Sequence, residues 1–134
     1  MWKKVIKYSF IFLFLLVFNL ICSPLNLDEV WNFGFANNMY RGEVAYLDFN
    51  MVIPPFYPWL MSLFFHLFSA NMLVFHIANA LILTGVVFLL EQMYREKMWI
   101  IFLFLFFPIN VSMPNYNIFL FALLVLILFL EEKC

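Results

Sequence analysis

Residues 71–90 read NMLVFHIANALILTGVVFLL, twenty consecutive positions without a charge. A helix rises about 1.5 Å per residue and needs about 20 mainly apolar residues to cross the roughly 30 Å hydrocarbon core of a bilayer. The stretch is a membrane span of ordinary length, and His76 and Asn79, one turn apart, face the helix bundle together. Upstream the uncharged run reaches back to Phe49, too long for one span and awkward for two. Pro54, Pro55 and Pro58 break its beginning. From Pro58 the chain reads PWLMSLFFHLFSAN, with Ser62, His66 and Ser69 at i, i+4 and i+7. That spacing predicts one polar stripe on an otherwise apolar helix, the pattern of a helix lying in the interface plane over 56–70.

The composition agrees with a lipid environment. Hydrophobic residues make up 67% of the 134 and charged residues 11%, and mean hydropathy is +1.00. Soluble domains are nearer half apolar and a quarter charged, and a globule this small could not hide the surplus. Disordered chains lack such an aromatic load, and a net charge of −1 gives no basic face for nucleic acid. The expectation is an all-α integral membrane protein. Cys22 and Cys134 form no metal or disulfide spacing. Ile21 before Cys22 also argues against a lipoprotein cleavage site.

The charges fall in four clumps: Lys3, Lys4 and Lys7; Asp28 to Asp48; Glu91 to Lys97; and Glu131 to Lys133. They frame a single membrane domain over 1–134 with four spans, at 8–27, 71–90, 99–113 and 117–130. An external loop over 28–70 carries two interfacial helices. Ser23-Pro24 is the expected stop of the first helix, and the absence of a small-x-small cleavage site favours an uncleaved anchor. The last two spans are short and are joined by a turn at Pro114-Asn115-Tyr116-Asn117. The three early lysines place the N-terminus in the cytoplasm. A flat 56–70 then brings Arg95 and Lys97 back to the same side, whereas a crossing 56–70 puts them outside. Charge bias favours the flat helix, in a multi-pass protein of the cell membrane.

The loop NLDEVWNFGFANNMYRGEVAYLDFNMVIPP, residues 26–55, is the most polar stretch. Asn26 and Glu29 make an Asn form of the capping box, and Asp28 and Glu29 fall in the first turn, near the positive end of the helix dipole. A helix from Leu27 to about Tyr40 follows, ended by Arg41-Gly42 with glycine in the left-handed position. Trp31, Phe35 and Met39 form a stripe suited to lipid, and YLDFN reads as a short extended segment. From spacing alone, Asp28 and Glu29 cap and solvate a helix end, Asp48 is a turn residue and Arg41 a headgroup anchor. His66 and His76 read as hydrogen-bonding residues rather than metal ligands.

The order Asp28-Glu29, Ala36, Gly42, Tyr46, Asp48-Phe49, Pro54-Pro55 and Pro58, after a first span and before a helix ending HLFSAN, resembles a large membrane family. It is similar to the C-type glycosyltransferases that use polyprenyl-phosphate sugars, among them protein mannosyltransferases and bacterial lipid A sugar transferases. The resemblance covers about residues 5–115. Two departures stand out: the glycine after the second interfacial helix is replaced around Ser69-Ala70-Asn71, and family members usually carry many more spans. The chain therefore looks like the N-terminal portion of a larger fold, with a membrane partner as an alternative source of the missing spans.

The resemblance implies transfer of a sugar from a polyprenyl-phosphate donor to an acceptor on the extracytoplasmic side. It implies catalytic roles for Asp28, as the base for the acceptor hydroxyl, and for Glu29, which would orient the acceptor or help hold a divalent cation. Asp48 joins them as a substrate-binding carboxylate, and Arg41 is the cation expected to meet the donor phosphate, on charge alone and not by family motif. No metal is assigned. The alternative is a non-catalytic small multi-pass membrane protein, a scaffold or channel-forming subunit, for which the short length argues.

Overall fold

The computed structural model describes residues 2–22, 27–93 and 116–133. Five helices make up most of it: α1 (Trp2–Cys22), α2 (Leu27–Tyr40), α3 (Phe56–Leu67), α4 (Met72–Met93) and α5 (Tyr116–Lys133). The described residues contain no β-strand beyond one isolated bridge between Ala45 and Phe49. The fold is all-α, as the composition predicts. Asn26 of the expected capping box, the 99–113 span, the Pro114-Asn115 turn and the charges Arg95 and Lys97 lie outside the described residues.

Among the described helices, α1 and α4 are long and apolar enough to cross a membrane, with mean hydropathies of 1.9 and 2.3. Their bounds differ from the uncharged runs. α1 begins at Trp2 and carries Lys3, Lys4 and Lys7 within the helix, and α4 runs on through Glu91 to Met93. Lys, Glu and Gln are good helix formers, so a charge marks the edge of lipid and not the end of a helix. α1 presents Phe10, Leu13, Phe14, Val17 and Ile21 outward and buries Leu15 against Ala80, Leu83 and Val87 of α4. At the other end of the pair Lys7 and Tyr8 both reach the Glu91 carboxylate, and the Tyr8 ring meets Phe88 edge-on at 5.5 Å. The two helices therefore run antiparallel.

α5 lies along the opposite side of α4. Phe119, near its start, packs with Tyr57 and Phe75, while Leu128 and Glu131 lie beside Met93. α4 and α5 thus run in the same direction. Between them runs an apolar groove of about 330 Å³ lined by residues that include Ile82, Val86, Leu123 and Leu126.

α2 and α3 pack on each other and form a cap over the start of α4. Asn71 accepts the Leu73 N–H at 2.7 Å and so caps α4. Pro58 is accommodated because it falls in the first turn of α3, where no intrahelical partner awaits its missing N–H. The cap is built around Ala36, Tyr57, Met61, Phe65 and Phe75, all buried. Phe33 bridges this cluster, its ring 5.3 Å from Phe65 and 5.9 Å from Phe75.

The predicted polar stripe of α3 divides in the folded chain. Ser62 is buried and donates to the Trp59 carbonyl at 2.7 Å, whereas His66 and Ser69 are exposed. The rest of the outward face is apolar, formed by Phe56, Trp59, Leu63 and Leu67.

Candidate functional site

The site starts from the first turn of α2. Asp28 is exposed and Glu29 is fully buried, 0% accessible, although they are neighbours in sequence. Successive helical residues point about 100° apart, which is enough to send one carboxylate outward and the other under the helix. The face of α2 turned inward carries Glu29, Asn32 and Ala36. The expected role of Glu29 as a solvated helix-end residue therefore fails, because its carboxylate oxygen lies 3.1 Å from the His76 ring Nε2 on α4. His76 is itself buried.

Three further hydrogen bonds order the same region. The Asn32 amide donates to the Asp28 carbonyl at 2.6 Å, holding the backbone of that residue from within the helix. One turn along α4 from His76, Asn79 accepts a hydrogen bond from the Tyr57 hydroxyl at 3.0 Å and donates to the Phe75 carbonyl at 3.1 Å. Burial pushes the Tyr57 hydroxyl pKa well above that of an ordinary phenol; the Asn79 bond pulls it back only in part, and the Glu29 carboxylate adds to the rise. Tyr57 therefore stays neutral and acts as a donor. The expectation that His76 and Asn79 face the bundle is met, and each holds one helix of the cap.

The other two predicted site residues lie elsewhere. α2 closes as expected: Glu43 N–H donates to the Asn38 carbonyl at 3.1 Å, Gly42 N–H to Met39 at 3.0 Å, and Gly42 adopts φ 90°. This is a Schellman ending, with glycine taking the left-handed residue. Arg41 is exposed at this end, thirteen residues beyond Asp28 and so about 20 Å away along the axis.

Asp48 belongs to a tight turn and not to an extended segment. Its carboxylate accepts the Val44 N–H at 2.7 Å, its own N–H donates to the Val44 carbonyl at 2.9 Å, and Tyr46 sits at φ 68°. The turn is fastened to α2 by Phe49 stacking on Phe35 at 5.9 Å, midway along the helix. The carboxylate of Asp48 orders this loop. Among the described residues no group of three His, Cys, Asp or Glu is placed to hold a metal ion.

The spacing of Glu29 and His76, on separate helices 47 positions apart, gives no sign of their pairing. A histidine in an otherwise apolar span is the one available signal, since ionisable groups at such depth generally find a partner inside the bundle. Neither a scan against models of protein families nor searches of curated proteins and of solved structures finds a match to this chain.

Proposed function

We propose that this chain is a membrane glycosyltransferase, or a piece of one, that transfers a sugar from a polyprenyl-phosphate donor to an acceptor at the extracytoplasmic face. The observation that carries the reading is the division of Asp28 from Glu29. One carboxylate is exposed at the first turn of α2, and the other is buried against His76 of the candidate span α4. A transferase of this kind needs a carboxylate held at a fixed depth, near lipid yet open to an acceptor. In the reaction the acceptor hydroxyl oxygen attacks the anomeric carbon and the bond from that carbon to the phosphate oxygen breaks. Polyprenyl phosphate leaves, and Asp28 takes the hydroxyl proton. Glu29 acts from below as the anchor of that turn.

The helix packing and the charges support one topology. His76 lies fifteen residues, about 22 Å of helix axis, from Glu91 and its Lys7 partner. With the three early lysines on the cytoplasmic side, the acidic site comes to the opposite face. α1 then crosses outward, α2 and α3 lie along the outer interface, and α4 returns. The apolar outer face of α3 suits such a position, with Trp59 at headgroup level. α5 starts beside α3 and ends beside Met93, so it also crosses from the outer side inward. The expected partners are the bilayer and the lipid-linked sugar, with the missing spans supplied by a longer chain or a companion subunit.

The test is Asp28→Asn in an assembly with transfer activity. The amide keeps size and a side-chain oxygen but cannot take the proton. The transfer rate at matched membrane expression should fall about 10²- to 10⁴-fold, or roughly 3–5 kcal/mol of barrier. A wild-type rate makes Asp28 a helix-start residue and leaves the chain a non-catalytic membrane subunit.

A further inference from the structure

The cap is tied to α4 by two separate polar contacts, one for each of its helices. Tyr57 of α3 bonds Asn79, and Glu29 of α2 meets His76. Apart from the Glu29–His76 pair, the ring contact of Phe33 with Phe75 also links α2 to α4, while most of α2's inward face rests on α3. Burying a carboxylate is costly unless it is partnered, so the His76 contact stabilises the buried position of Glu29. Asn32, buried in the same turn, holds the Asp28 carbonyl. Asp28, held by its carbonyl and next to the buried Glu29, keeps its own carboxylate exposed.

We propose that His76 is a positioning residue for the acidic site: by holding Glu29 it fixes the first turn of α2, and with it the Asp28 carboxylate, on the span helix. The functional consequence rests on the reading of Asp28 given above, whereas the clamp itself does not. Severing the pair should let the start of α2 open while α3 remains docked through Tyr57 and Asn79.

Hydrogen–deuterium exchange on the full chain in lipid nanodiscs tests the clamp. Amide exchange over residues 31–36 should rise about tenfold or more in His76→Asn and in Glu29→Ala, since local opening governs exchange. The double variant should exchange no faster than the faster single one, because both changes remove the same contact. His76→Gln should restore part of the protection, because the glutamine amide nitrogen reaches about as far as the histidine Nε2 and still donates. Tyr57→Phe should leave residues 31–36 unchanged. Additive effects, unchanged exchange in both single variants, or an equal rise in Tyr57→Phe would overturn the clamp. Should His76→Asn not fold, Glu29→Ala, which removes the carboxylate and leaves α4 untouched, decides it by the same exchange measurement.

In an assembly with transfer activity, His76→Asn should lower kcat about tenfold with the KM for the lipid-linked sugar unchanged, as expected for a misplaced catalytic group. An unaltered kcat beside raised exchange overturns the positioning role. If the wild-type assembly transfers no sugar, the glycosyltransferase reading fails and the exchange cycle still decides the clamp.

Discussion

Tyr57 and Gly42 show how much single residues contribute to the cap. The Tyr57 hydroxyl is fully buried and has one partner, the Asn79 side-chain oxygen. Tyr57→Phe removes the donor that this oxygen accepts from. The expected cost is about 1–2 kcal/mol, within the range for a lost buried hydrogen bond. Thermal unfolding in a mild detergent should show it as a lowered midpoint, with a larger drop than in Tyr46→Phe, whose exposed hydroxyl bonds the Ile53 carbonyl at 3.0 Å. Gly42 is a different case. A Cβ built there meets no atom within 4 Å, so space is no obstacle, but φ 90° is. Gly42→Ala should cost about 1 kcal/mol or more through backbone strain alone. A midpoint equal to wild type would mean that the α2 ending relaxes freely.

At the level of helices, the antiparallel α1–α4 pair makes a topological statement that labelling can check. Lys7 and Tyr8 share the Glu91 carboxylate, so the beginning of α1 and the end of α4 lie on one side. The Ala45–Phe49 turn lies with the cap, on the other side. With single cysteines, Ala45→Cys should react with a membrane-impermeant maleimide in intact cells. Trp2→Cys, also exposed, should react only after permeabilisation. Labelling of both in intact cells contradicts an α1 that crosses the bilayer. The apolar exterior of α1 makes the same point energetically, since side chains such as Phe10 and Phe14 find no protein partner that hides them. In water that face would be an aggregation surface; in lipid it is simply solvated.

At the scale of the molecule, the described helices form two layers meeting at Phe75. This ring is fully buried and contacts Phe33, Tyr57, Phe65 and His76, so it touches α2, α3 and its own helix. Phe75→Ala opens a cavity where cap and span meet, with an expected cost of about 3–5 kcal/mol. Unfolding in detergent measures this, and a loss below about 1 kcal/mol would mean the cap collapses to fill the space. The intact protein should stay in the membrane fraction through alkaline carbonate extraction. Release into the supernatant would refute the integral-membrane reading.

Local chemistry along the chain makes α2 and α4 legible from the sequence alone. α2 ends where Arg41-Gly42 predicts because a Schellman ending is decided within six residues, and α4 follows an uncharged run long enough to be a helix in lipid. Which polar side chains turn inward is not legible there. The Trp31, Phe35 and Met39 stripe of α2 is left partly outward, as a stripe suited to lipid should be, but Glu29, Asn32 and Ala36 point in. α3 likewise keeps Phe56, Trp59, Leu63 and Leu67 exposed while burying Ser62 of its expected polar stripe. The physical reason is that lipid tails accept apolar side chains as readily as a protein core does, so hydrophobic periodicity loses its direction at a membrane edge. Polar side chains still need partners in a dry setting, and those partners come from other helices. The pairing of Glu29 with His76, and hence the exposure of Asp28 beside it, emerges only once α2 is laid across the start of α4.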